Sequence, residues 1–224
     1  MHYIELKEQV EAECVKVGRD PESVLLLPVS KASSAAQLRE VYNCGARDFA
    51  ENRPDVLLDK VVELDDLAIN WHFIGNIQSR RIKDIVEHCE LIHSLEKIKH
   101  ARKIDASARE LGKTQKVLVE VNISGEEQKG GLAPEQLQQF LEECRPLENL
   151  QVCGLMCMAP FQAEKATLIQ VFEGLSQALS STKECLGQKQ AAYKELSMGM
   201  SGDWRSALAC GSTMLRIGTA IFSD

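Results

Sequence analysis

The sequence predicts an α/β protein, a single (β/α)₈ barrel preceded by one additional helix. Eight short runs rich in apolar and β-branched residues alternate with stretches of helical periodicity, the pattern of βαβ units around a parallel sheet. No stretch rich in Pro, Gly or Ser divides the 224 residues, and no repeat exceeds the βα alternation. With 44% hydrophobic residues the chain can bury one substantial core, so one domain over 1–224 is expected. An open doubly wound sheet would use the same alternation and is the runner-up.

The elements follow in order. Residues 1–17 (MHYIELKEQVEAECVKV) are amphipathic and charged and read as the extra helix. Strands are predicted at 24–29, 48–50, 71–74, 91–93, 116–121, 151–156, 195–198 and 214–217. Between them, Leu38, Val41 and Tyr42 recur at helical spacing in 35–44, as do Ile98, Ile104 and Ala108 in 97–111. Pro134 can open a helix over 136–144, and Pro146 ends it. The segment 163–190 reads as one or two helices.

Composition excludes several function classes. A formal charge of −7 lacks the clustered Lys and Arg needed to grip nucleic acid or an acidic membrane. The N-terminus has no basic segment leading into an apolar one, and no later run could span a bilayer, so a cytoplasmic protein is expected. The eight cysteines lack the paired spacing of a zinc site or a secreted scaffold and are expected reduced and mostly buried; no metal is expected. Gly112-Lys113-Thr114 resembles the tail of a P-loop, but Ser107 stands where the first Gly should be and the segment ends a helix.

In such a barrel, chemistry collects at the C-terminal ends of the strands. Lys31 follows the run Leu25–Ser30, where its amine can attack an aldehyde. Ser197-Met198-Gly199-Met200-Ser201-Gly202-Asp203 follows the seventh strand and Gly218-Thr219 the eighth, the usual phosphate-binding loops of this fold. Ser197, Ser201, Gly218 and Thr219 are the phosphate candidates, and Ser201 or Asp203 can cap a helix running to Ala209. Arg216, inside an apolar strand, needs a partner or a polar cavity. An aldehyde-reactive lysine and an oxyanion cradle at one mouth suit pyridoxal phosphate. An arginine on its ring nitrogen would keep that nitrogen unprotonated and the ring a weak electron sink. The bland alternatives are a solvated Lys31, two ordinary capped turns, and an Arg216 ion pair with Asp48 or Glu51. His72 and Asn76 are placed near the mouth, with Asn52 and Asn122 at strand exits.

The stretches PVSK at 28–31, GARDFAEN at 45–52, WHFIGNIQS at 71–79, VLVEVNIS at 117–124, GLMCMAP at 154–160, LSMGMSGDW at 196–204 and GSTMLRIGTAIF at 211–222 run in order over nearly the whole chain. In them the chain resembles the pyridoxal phosphate homeostasis proteins, relatives of the N-terminal barrel of alanine racemase. The resemblance implies the cofactor on Lys31, Arg216 at the ring nitrogen, and the phosphate held by the serine of LSMGMS with the amides of Gly218 and Thr219; Asn52 and Met198 lie in matching stretches and join the candidate cofactor-binding set. It implies a cofactor carrier or regulator influencing amino acid and keto acid balance, with no established reaction, commonly monomeric, and with pyridoxal phosphate-dependent apoenzymes as possible recipients. Three departures stand out: SKASSA lacks the family's second lysine, Arg53 replaces an aromatic residue beside the pocket, and Gly130-Gly131 follows Lys129 where a Ser-Gly pair is common.

An enzyme is the competing class. A racemase needs a second base, supplied in alanine racemase by a tyrosine of a further domain of the partner subunit, which this chain is expected to lack. Tyr3, Tyr42 and Tyr193 fall in predicted helices away from the mouth, leaving His72 or Lys31 for weak one-base chemistry.

Overall fold

The computed structural model describes residues 2–31, 33–126 and 128–223. Eight parallel strands form one sheet in the order β1-β8-β7-β6-β5-β4-β3-β2. They are β1 (Leu25–Pro28), β2 (Asp48–Glu51), β3 (Asn70–Phe73), β4 (Cys89–Leu95), β5 (Gln115–Glu120), β6 (Leu150–Met156), β7 (Glu195–Ser197) and β8 (Met214–Ile217). The remaining seam is closed by a parallel bridge between Val29 and Ala50, with Ser30 N–H donating to the Ala50 carbonyl at 2.9 Å. The sheet is therefore a barrel, and the open doubly wound alternative is excluded. Each predicted strand is present, with ends displaced by at most two residues.

The helices are α1 (His2–Lys16), α2 (Ala35–Asn43), α3 (Pro54–Glu63), α4 (Ile82–His88), α5 (Ile98–Glu110), α6 (Leu137–Cys144), α7 (Lys165–Thr182), α8 (Trp204–Ala209) and α9 (Thr219–Phe222). α1 buries Tyr3, Leu6, Val10 and Cys14, one stripe at helical spacing, and packs against α8 and α9. The predicted first residue of that helix, Met1, lies outside the described residues. α2 opens with a capping box in which Ser34 and Gln37 satisfy each other's backbone N–H groups, and α3 opens on Pro54, whose missing N–H costs nothing there. The segment 163–190 resolves into α7 and a 3₁₀ stretch, Lys183–Ala192, broken at Gly187.

Strand alternation divides the interior into two environments. Phe49, Trp71, Phe73, Ile92, Val117 and Val119 face the helices and join the main core. Leu27, Ala50, Leu91, Leu118 and Met156 belong to separate small clusters that fill the barrel. Among these apolar residues the barrel also buries His72, His93, Ser197 and Arg216.

Candidate functional site

The C-terminal strand ends open on a cavity of about 1340 Å³ whose lining includes Lys31, Asn52, Ser201, Arg216, Gly218 and Thr219. Six of the eight sequence-predicted site residues thus share one mouth. Arg53, Arg80 and Arg81 also line it, against the acidic Asp55 and Asp203. The mouth is therefore cationic in a chain of net charge −7.

Lys31 is exposed at the rim, but the backbone before it is anchored from below. Lys60 of α3, 6% exposed, donates to the Ser30 carbonyl at 2.7 Å, to Ser30 Oγ at 3.2 Å and to Glu51 Oε2 at 2.7 Å. Glu51, fully buried, also accepts from Ser30 Oγ at 3.0 Å and from the N–H groups of Asn52 at 2.7 Å and Arg53 at 3.3 Å. One buried ion pair thus pins the exits of both β1 and β2. Gly218 brings the β8 exit against β1, since a Cβ there would stand 3.2 Å from the Val29 carbonyl oxygen. Gly75 does the same for β3 and β2: its Cβ would fall 1.8 Å from the Asn52 carbonyl oxygen, so only glycine fits.

Arg216 is 4% exposed, with Nη1 donating to Ser197 Oγ at 2.7 Å and Nη2 to the Cys157 carbonyl at 2.9 Å. Burial lowers its pKa from the ordinary arginine value, opposed by Cys157, Glu120 and Asp203. It forms no ion pair with Asp48 or Glu51, whose partners are His72 and Lys60. Glu120, at the end of β5, is raised to about 7, first by burial and then by repulsion from Glu96.

Two of the predicted phosphate or cofactor contacts require correction. Ser197 does not line the cavity: as the last residue of β7 it points into the barrel, fully buried, with Oγ 2.8 Å from His93 Nδ1 as well as on Arg216. Met198, the next residue, is fully buried in the main core because strand alternation turns it toward the helices. Ser201, four residues beyond Ser197, does reach the mouth, where its Oγ accepts from the Ala220 N–H at 3.3 Å. Asp203 occupies the N-cap position of α8, but its carboxylate turns back to the Met200 N–H at 2.5 Å instead of capping the helix.

His72 does not lie at the mouth, and Asn122, although at the β5 exit as expected, does not line the cavity. His72 is 3% exposed inside the barrel, with Nδ1 2.9 Å from His93 Nε2 and Nε2 3.1 Å from Asp48 Oδ1. Asn122 holds its own loop, donating to the Glu126 carbonyl and accepting from Ser124 Oγ and Gly125 N–H. Asn76 lines the cavity as expected; Tyr3, Tyr42 and Tyr193 do not. Sequence reasoning missed Lys60, Glu51 and His93 as parts of this site. Lys60 carried a signal, a cation on the buried stripe of α3 with Leu57.

Comparison with known proteins agrees with this geometry. Residues 16–224 match the family described as alanine racemase, N-terminal domain. A Pseudomonas aeruginosa protein named pyridoxal phosphate homeostasis protein is 41% identical over 205 residues, covering 92% of this chain and 86% of its own. The structure of PipY from Synechococcus elongatus PCC7942 with PLP bound aligns with a TM-score of 0.83 at 34% identity, over 96% of this chain and 100% of that one. Alanine racemase from Clostridium difficile 630 shares the fold, with a TM-score of 0.71 at 15% identity, over 97% of this chain and 56% of that one.

Proposed function

The chain belongs to the alanine racemase N-terminal-domain family, among the pyridoxal phosphate homeostasis proteins, and from that premise we propose that it holds pyridoxal 5'-phosphate reversibly through Lys31 as an intracellular carrier or regulator of the cofactor. The observation that carries this reading is the convergence of Lys31, Ser201, Gly218, Thr219 and Arg216 on one mouth. The donor set suits the cofactor: an amine for its aldehyde, a hydroxyl and glycine-flanked backbone for its phosphate, and a guanidinium, a donor in every protonation state, for a bare ring nitrogen. Bound there, pyridoxal phosphate supplies an electrophilic carbon that an amine can capture. Lys31 provides the amine, the Lys60–Glu51 pair fixes its backbone, Asn52 lines the pocket wall, and Arg216 disfavours a proton on the ring.

The reading is of a carrier without a catalytic reaction. Both ring nitrogens of His72 are engaged inside the barrel and none of Tyr3, Tyr42 and Tyr193 lines the mouth, so of these candidate bases Lys31 alone reaches it. No helix among the described residues is long and apolar enough to cross a membrane, in keeping with work in the cytoplasm on pyridoxal phosphate-dependent apoenzymes. The protein is proposed to act as a monomer.

The test is the visible absorbance of purified protein before and after borohydride, with peptide mapping of the reduced product. An imine band lost on reduction, with the label on Lys31, is expected. A protein that stays colourless after incubation with pyridoxal phosphate, or a label elsewhere, overturns the assignment.

A further inference from the structure

Beneath Arg216 lies an unbroken line of buried polar groups that cofactor binding alone does not explain. From Arg216 on β8 it passes to Ser197 on β7 at 2.7 Å, to His93 on β4 at 2.8 Å, to His72 on β3 at 2.9 Å, and to Asp48 at the start of β2 at 3.1 Å. The first four are at most 4% exposed, whereas the Asp48 side chain is 25% exposed. Asp48 also lines a small cavity at the opposite end of the barrel, beside Tyr3 and Lys7 of α1. The line therefore crosses the barrel from mouth to floor.

Its direction follows from the chemistry of its ends. A guanidinium only donates, so Ser197 Oγ accepts from Arg216, and with an ionised, accept-only Asp48 at the far end of the line and both rings neutral its own hydrogen goes to a bare His93 Nδ1. His93 then carries its proton on Nε2 and donates to His72 Nδ1, and His72 carries its proton on Nε2 and donates to Asp48, which only accepts while ionised. Each step is satisfied in one orientation only, with both rings neutral. A proton added at His72 Nδ1 would face His93 Nε2 and force the His93 proton onto Nδ1. Ser197 Oγ would then receive two donors, from His93 and Arg216, with its own hydrogen displaced from the line.

We propose that Ser197, His93, His72 and Asp48 are positioning residues for Arg216, a one-way hydrogen-bonded column that couples its placement in the mouth to protonation of the His72–Asp48 pair. The coupling to cofactor retention rests on the proposed function; the column itself does not. The other groups in the field are few. Near His72 is Glu90, tied to Lys116 at 2.6 Å. Facing Asp48 are Asn70, donating at 3.2 Å, and Tyr3. Facing Arg216 are Cys157, Glu120 and Asp203. His93 resists charging, because burial lowers its pKa well below the ordinary value, with His72 and Arg216 adding to the effect.

Long-range ¹H–¹⁵N correlation spectra of the unliganded protein at pH 8 test the column directly. Both His72 and His93 are expected as Nε2–H tautomers with Nδ1 bare; either ring carrying its proton on Nδ1 overturns the proposal. Pyridoxal phosphate titrations over a pH series test the coupling. Asp48→Ala is expected to weaken retention about tenfold, the scale of one displaced charge-assisted hydrogen bond, and to shift its pH profile, while Asp48→Asn, which keeps an acceptor for His72, restores most of the affinity. Ser197→Ala, cutting the line beside Arg216, should weaken retention similarly and abolish the pH response. Wild-type affinity and profile in both Asp48→Ala and Ser197→Ala, beside a weakened Arg216→Ala, would refute the coupling. If no variant or wild-type protein takes up the cofactor, the functional reading fails, and the tautomers still decide the column.

Discussion

Replacing Lys60 by Met removes one half of the buried pair beneath Lys31 while keeping most of the side-chain volume. Glu51 would lose its cation and keep three donors, Ser30 Oγ and the N–H groups of Asn52 and Arg53. The Ser30 carbonyl would lose its 2.7 Å ammonium contact. Glu51 is fully buried, so the expected loss is that of breaking a buried pair, about 3–5 kcal/mol, a large part of the stability of a typical domain. Urea unfolding followed by far-UV circular dichroism at pH 7 measures it through the shift in midpoint at constant slope. The same variant should take up pyridoxal phosphate with a weaker imine band, because the carbonyl immediately before Lys31 is released. A loss below about 1 kcal/mol, the scale of an exposed ion pair, would refute the reasoning, as would an unchanged imine band in a measurably destabilised protein.

Three further outcomes are expected. Lys31→Ala should abolish the imine band and leave weaker, noncovalent retention, with an unfolding midpoint within error of wild type because Lys31 is exposed; an unchanged band would refute the attachment point. Gly75→Ala should cost about 3 kcal/mol or more, the upper end of overpacking, because its Cβ would lie 1.8 Å from the Asn52 carbonyl oxygen, and a wild-type urea midpoint would contradict this. The Glu120 carboxyl, raised to about 7 in the folded state, binds its proton more tightly there than in the unfolded chain. Its contribution is therefore fully present below the ordinary glutamate value near 4.5 and is lost as pH rises through 7. Glu120→Gln should then raise the unfolding free energy relative to wild type by up to about 3 kcal/mol at pH 8 and by little at pH 5; equal effects at both would refute the shift.

The strands were legible because each pairs β-branched or apolar residues with a turn signal, and the mouth because parallel strands deliver their exits to one face. What the chain could not announce were partnerships set by barrel register. Ser197 and His93 are 104 residues apart, and only the positions of β7 and β4 around the barrel bring them to 2.8 Å. The two serines of LSMGMS look alike in sequence; the point where β7 ends turns Ser197 inward and leaves Ser201 to the loop. His72 was placed near the mouth because it stands beside the strand exit, yet the pleat aims it into the barrel toward Asp48. Lys60 and His93 were the detectable exceptions, each a polar residue interrupting an otherwise buried pattern.

Buried polar networks of this size are weak contributors to stability, since the cost of drying the charges offsets most of their attraction. Apolar residues of similar volume could fill the same space in an (β/α)₈ barrel without that cost. The two networks therefore make better sense as geometry than as glue. One holds the backbone before Lys31, the other holds the guanidinium of Arg216, and the exits of β1 and β8 that carry them are drawn together at Gly218. Above this fixed floor the rim is open: Lys31 is exposed and Phe161, on the cavity edge, is 87% exposed. A cofactor linked at an exposed lysine can be approached by a second amine from solvent without rearranging the floor. In the proposed carrier, binding geometry and release would then be set by different parts of the molecule, so variants of the floor should change affinity while variants of the rim should change the rate of exchange.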